Sequence, residues 1–250
     1  MTVSATCKKE RKTKKMSDYF FRLPTEGNTK LFKEMMIKYC LDETKSINDK
    51  TLTSIEYICY RCNRSTSNRN KPTSFLSYIR QEIISMIANG ELVQTYGENI
   101  TACRISSMVG FEIKPKFYAY AKNGFCKLTD EAFEKITHID FKCSTANAFR
   151  IYAYIRSGIC ANPDTSYGFY KSINNIYQDL GFTNRHIVDD ALNKFVDYGL
   201  FQKETPVIKG LSYVPNIYVL PDENAESNIK GITKILKENI GGLTCENNKN

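Results

Sequence analysis

Residues 173–199 constrain the fold more than any other stretch of the chain. Ile173, Ile176 and Leu180 recur at helical spacing behind Ser172, a good helix-capping residue, and Gly181 ends the run. Thr183 is then expected to cap a second helix over Asn184–Tyr198, which stops at Gly199. Its apolar set is Ile187, Val188, Ala191, Leu192, Phe195 and Val196, so Asn184, Arg185, His186, Asp189, Asn193 and Asp197 are left facing outward. Two helices joined through Leu180-Gly181-Phe182-Thr183 read as a helix-turn-helix, with glycine in the turn that needs it.

The flanks extend this unit. A helix is predicted from Thr145 to Ile159, with Ala148, Ile151, Tyr152 and Ile155 on one face, followed by a loop over 160–169. Behind the motif, Leu200–Glu204 and Leu211–Leu220 are β-type runs on either side of Thr205–Gly210. Helix, helix-turn-helix and hairpin, in that order, is the pattern of a winged helix. The segment Ile173-x-x-Ile176-x-x-x-Leu180-Gly181, with Tyr198-Gly199-Leu200-Phe201, resembles bacterial winged-helix domains. Asn216-Ile217-Tyr218-Val219-Leu220 is similar to the closing wing strand of replication proteins from plasmids and phages of Gram-positive bacteria. The resemblance covers about residues 145–220, under a third of the chain. It implies replication initiation, assembly of several copies on repeated DNA sites, and contact with other replication proteins.

A similar order is read upstream, over 17–128. Leu31, Phe32, Met35, Met36 and Tyr39 predict one helix, Ile55, Ile58, Cys59 and Cys62 a second, and Phe75 to Ile87 a third. Thr73 or Ser74 caps the third, and Asn89-Gly90 closes it. Two β-type runs, Leu92–Tyr96 and Thr101–Ile113, follow around Gly97-Glu98-Asn99. The expected fold class is therefore α+β, mainly helical, with tandem winged-helix domains over 17–128 and 145–220. A connector over 129–144 separates them, with a helix at Asp130–Ile136. Phe117–Ala121, just before it, reads as a strand. Residues 221–250 hold an amphipathic helix over 224–243, whose Ile229, Ile232, Leu236, Ile240 and Leu243 are expected to dock on the chain itself.

Composition narrows the function classes. The net charge of +8 favours a polyanionic partner. Residues 1–16 carry +5 of it and read as a disordered basic tail, whereas 145–220 carries only +1. No apolar run approaches the length of a membrane span, and the N-terminus lacks a secretory apolar core, which places the protein in the cytoplasm without membrane partners. Nine scattered cysteines suit a reducing compartment, where thiols pack as small hydrophobes. Cys59 and Cys62 have metal-type spacing, but no second ligand pair follows at zinc-site distance and one helical turn explains the interval. His138 and His186 lie in no nucleophile or metal motif, and Gly241-Gly242 lacks the lysine of a phosphate loop, so neither a cofactor nor an enzyme is expected.

These observations point to double-stranded DNA. In a helix-turn-helix the start of the second helix lies nearest the bases: Arg185 suits guanine, Asn184 adenine, and His186 and Asn193 complete the outward face. Phosphate contacts are expected from Lys171, Ser172 and Asn174 at the preceding helix start, and from Lys203 and Lys209 beside the wing. Arg61, Arg64, Arg69, Lys71 and Arg80 form an acid-free run whose phosphate contacts would make binding steeply salt-dependent. Asn63, Asn68 and Asn70 in this run are further candidates for base contact. Asp189-Asp190 argues the other way, because two carboxylates repel phosphate. A transcription regulator using the same contacts, or an adaptor that binds proteins, are the alternatives.

Overall fold

This computed structural model describes residues 20–46, 48–66, 74–160, 168–209 and 213–246. The basic stretch 1–16 and the candidates Asn68, Arg69, Asn70 and Lys71 lie outside the described residues. The first half runs β1 (Phe21–Pro24), α1 (Thr29–Glu43), β2 (Lys50–Thr53), α2 (Ile55–Arg61), α3 (Phe75–Ala88), β3 (Leu92–Tyr96) and β4 (Val109–Ile113). Each helix starts at a polar cap. Asn28, Ser54 and Ser74 accept the N–H groups of Leu31, Tyr57 and Ser77 at 3.0, 3.1 and 3.2 Å. The three later strands form an antiparallel sheet in the order β2-β4-β3, and β4 alternates Val109, Phe111 and Ile113 into the core. Phe32, Ile58, Ile79 and Ile83 meet them there.

A 3-10 helix over Pro115–Asn123 leads into β5 (Phe125–Leu128), which pairs antiparallel with β1. Then come α4 (Asp130–His138), α5 (Thr145–Cys160), β6 (Phe169–Tyr170), α6 (Ile173–Asp179), α7 (Arg185–Asp197), β7 (Gln202–Glu204), β8 (Ile217–Val219) and α8 (Ala225–Glu246). The order helix, strand, helix, helix, strand, strand thus occurs twice, from α1 to β4 and from α5 to β8. In both sheets the last strand lies in the middle, the second having the order β6-β8-β7. On β8, Tyr218 faces the main core, while Ile217 and Val219 face Ile232 and Leu236 of α8. The C-terminal helix therefore docks on its own chain, covering the outer face of the second sheet. The result is an α+β fold, about half helical, with small antiparallel sheets.

The two halves share one core. Tyr39 of α1 stacks on Phe133 of α4 at 3.7 Å, and Phe133 meets Phe149 of α5 at 5.4 Å. The expected connector is thus a core element: Phe133 and Ile136 are fully buried. Arg61 seals this seam. Its Nε and Nη2 donate to the two Glu43 oxygens at 2.8 and 2.7 Å, and Nη2 also donates to Asp130 at 2.5 Å. The guanidinium lies over the rings of Tyr39 and Phe133. Burial opposes its charge, but the bonds to Glu43 and the nearby Asp130 outweigh it and raise its pKa. Arg61 therefore leaves the set of phosphate-binding candidates, because two carboxylates already occupy it.

Other sequence expectations are corrected. The strand expected over Phe117–Ala121 is the 3-10 helix, because Pro115 sits in its first turn, where its fixed φ suits a helical start. At three residues per turn Phe117 and Tyr120 share a face, and both pack against the core. The run Thr101–Ile113 holds a strand only from Val109. Before it, the Asn99 carbonyl accepts the Ala102 and Cys103 N–H groups at 2.9 Å each, which folds the chain into turns. β7 and β8 are likewise shorter than the runs that announced them. Among the described residues no helix is long and apolar enough to cross a membrane.

Replacing Arg61 with alanine leaves Glu43 covered and without its cation. A loss of about 3 kcal/mol in unfolding free energy is expected by urea denaturation. A change under about 0.5 kcal/mol, the range of ordinary surface substitutions, would remove the seam from the account.

Candidate nucleic-acid interface

Helix α7 owes its position to its inner face. Val188, Ala191, Leu192 and Phe195 are buried, and Phe195 meets Phe141, Tyr152 and Phe201 edge-on at 5.4, 6.0 and 5.9 Å. That packing presents the opposite face and the first turn to solvent. Gly181, at φ 64°, turns the chain between α6 and α7 in a conformation that L side chains rarely adopt. The α7 cap is Asn184, whose side chain accepts the His186 N–H at 2.9 Å, rather than Thr183. One residue of shift matters: the Asn184 carbonyl oxygen serves the backbone, leaving its amide as the group free to meet a base.

Arg185 and His186 are exposed, and neither side chain bonds to another described residue. Asn193 is exposed but engaged. It accepts from Lys203 Nζ at 3.1 Å and donates to Asp189 at 3.5 Å, so a contact with a base has to displace one of these bonds. The two aspartates separate. Asp190 turns inward with its side chain 11% exposed, accepts the Lys142 N–H at 2.9 Å, and pairs with Lys194 at 3.3 Å. Only Asp189 is left to oppose a phosphate, and Asn193 and Lys203 lie beside it.

The phosphate candidates divide as well. Ser172 is used as the α6 cap, accepting the Asn175 N–H at 3.1 Å. Lys171 donates to Tyr154 at 2.8 Å and to Asp179 at 2.9 Å. Those bonds raise the Lys171 pKa, and hydrogen bonds from Tyr154 and Lys171 lower that of Asp179. Lys171 is thus a neutralised pair at the β6 edge. Asn174 and Lys209 are exposed.

In the first half, Arg80 donates to the Thr101 and Cys103 carbonyls at 2.8 Å each and holds the β3–β4 loop against α3. Arg64 is exposed, lies over Phe75 and donates to Thr145 Oγ1 at 2.7 Å, so it links the starts of α3 and α5. Asn63 is also tied down, its amide donating to the Thr137 carbonyl at 3.2 Å. The acid-free run is therefore partly structural.

Other residues escaped the sequence reading. α3 holds in the first half the place that α7 holds in the second, and it exposes Gln81 and Ser85, with Arg104 exposed on the neighbouring loop. Superposing the two element orders would have drawn attention to them, whereas composition alone favoured the arginines. Arg150 of α5 lies over the Phe182 ring at 5.1 Å, beside the α6–α7 turn. Burial lowers its pKa, and its Nε has no hydrogen-bond partner among the described residues. Cys62 lies 3.9 Å from the Cys40 sulfur in the core, and among the described residues no group of three or more His, Cys, Asp or Glu is placed to hold a metal ion. No protein-family model matches the chain, and no curated protein matches it significantly.

The two aspartates are expected to part experimentally. If α7 meets duplex DNA, Asp189→Asn is expected to tighten low-salt binding to it, because the substitution removes the acid that opposes phosphate. Asp190→Asn instead lowers stability by about 1–3 kcal/mol, because it weakens a covered ion pair. Equal effects of both on DNA affinity would contradict this division.

Proposed function

We propose that the chain is a sequence-reading, double-stranded DNA-binding protein with two winged-helix units, and that it initiates replication of a plasmid or phage without catalysis of its own. The observation that carries this reading is the first turn of α7. Arg185 and His186 are exposed at the start of the helix, while Asp190, one of the two acids that argued against the reading, is turned away and paired. The repeated element order and the shared sheet order support the winged-helix description of both units. Initiation itself rests on the resemblance of Asn216–Leu220, within the winged-helix resemblance over about 145–220, to the closing wing strand of replication proteins.

In this mechanism α7 enters the major groove and Arg185 bonds guanine. Lys203 and Lys209 approach the backbone beside it, and Arg150 supplies a cation at the turn. α3 reads a second stretch through Gln81 and Ser85. α7 is linked through Asp190 to Lys142, and α3 through Arg64, which lies over Phe75, to Thr145 at the start of α5; these links favour one spacing of the two stretches. Arg64 and the tail provide attraction that does not depend on sequence.

The test uses sites selected from a random duplex library. Arg185→Ala is expected to weaken the selected site by about 1–3 kcal/mol relative to random duplex, measured by fluorescence anisotropy at fixed salt. Equal loss on both duplexes would remove its base-reading role.

A further inference from the structure

Strands β1 and β5 form a two-stranded ribbon with one face in the core. Phe21 and Leu23 of β1 and Cys126 and Leu128 of β5 are buried, and Phe21 meets Tyr39 edge-on at 5.7 Å. Alternation turns Phe20, Arg22, Phe125 and Lys127 to the other face. There Arg22 and Lys127 are direct cross-strand partners, an arrangement that costs stability when both carry the same charge. Both are exposed, and neither makes a hydrogen bond or ion pair with a described residue. Each lies instead over a ring, Arg22 over Phe125 at 4.8 Å and Lys127 over Phe20 at 4.6 Å. Phe125 is itself 39% exposed. The described carboxylates nearest in the chain do not neutralise the pair. Asp130 bonds Tyr39 and Arg61, Glu131 pairs with Lys135, and Glu26, past the end of β1, bonds neither cation.

We infer that this face of the ribbon binds single-stranded nucleic acid. Two unneutralised cations side by side select a polyanion, and the aromatic rings beside them select unpaired bases. In a duplex the base faces are stacked on one another, so the exposed ring of Phe125 and the guanidinium plane above it gain nothing from them. A splayed strand offers both phosphates and flat base faces. An acidic peptide would satisfy the cations and leave the rings uncovered. A base stacks on the side of the Arg22 guanidinium that faces away from Phe125, while Lys127 meets the phosphate beside it. The buried face holds the four side chains in place before the strand arrives. The ribbon belongs to neither reading helix, so the inference stands independently of what α7 reads.

The test uses the full chain and a fluorescein-labelled oligothymidylate of about twelve nucleotides, with an abasic strand of the same length and a duplex beside it at one salt concentration. Saturable binding of the oligothymidylate is expected, weakened about tenfold by the pair Arg22→Ala and Lys127→Ala. Phe125→Ala is expected to weaken the oligothymidylate about fivefold and to leave the abasic strand unchanged, and all variants keep the parent's duplex affinity and circular dichroism. If Phe125→Ala alters the circular dichroism, Phe125→Leu, which keeps apolar volume without the aromatic plane, takes its place. Several results would overturn the inference. The oligothymidylate does not bind saturably, or the variants bind it as the parent does, which leaves the attraction to other cations. The cation pair loses duplex affinity as much as single-strand affinity, which assigns it to the duplex. Alternatively, the Phe125 variant weakens both single strands alike, which removes the bases from the contact and leaves a general anion patch.

Discussion

Phe133 lies between Tyr39 and Phe149, and Arg61 closes that stack while held by Glu43 and Asp130. Elements from both halves meet at this point: α1 and α2 from the first, α5 from the second, and α4 between them. Arg61 and Glu43 are both well covered, so removal of either leaves the other desolvated and without its main partner. The seam therefore favours one arrangement of the two halves over alternatives. Two contacts extend from this region to the surface helices: Asp190 of α7 accepts the Lys142 N–H between α4 and α5, and Arg64, which lies over Phe75 of α3, donates to Thr145 at the start of α5.

The helices were largely legible in the sequence. Apolar spacing and capping residues located α3, α6 and α7 to within a few residues, because those helices bury one face and expose the other; α1 and α5 were located by apolar spacing as well, although α1 is buried on every side from Met35 to Asp42. Short strands carry too few residues to show a period, so β1, β2, β5 and β6 were missed. Their existence depends on partners far away in the chain, as in the pairing of Phe21 with Leu128. The Phe117–Ala121 stretch misled because its aromatic residues favour a strand, whereas Pro115 starts a 3-10 helix there.

Site residues were legible as types but not as states. A sequence shows that Arg61, Arg80 and Lys171 are cations, yet their partners come from distant elements, and those partners decide whether the charge is available. The same holds for acids. Asp189 and Asp190 look identical in the sequence, and the helix rotation that buries Phe195 turns one inward and leaves the other near solvent. The exposure of Arg185 was legible because it follows from the local periodicity of α7 alone. Gln81 and Ser85 needed the repeat of element order to be seen.

In the proposed function, charge and discrimination are separated along the chain. The second unit is nearly neutral and presents a small free surface at the start of α7, while much of the net charge lies in residues 1–16. This division predicts general attraction with a specific component on top of it. The most direct measurement is equilibrium binding across a salt series, using random duplex DNA and a duplex selected for tight binding. The account predicts that both bind at low salt and that the selected duplex alone keeps measurable affinity near physiological salt. Absence of affinity for either duplex at low salt would contradict it.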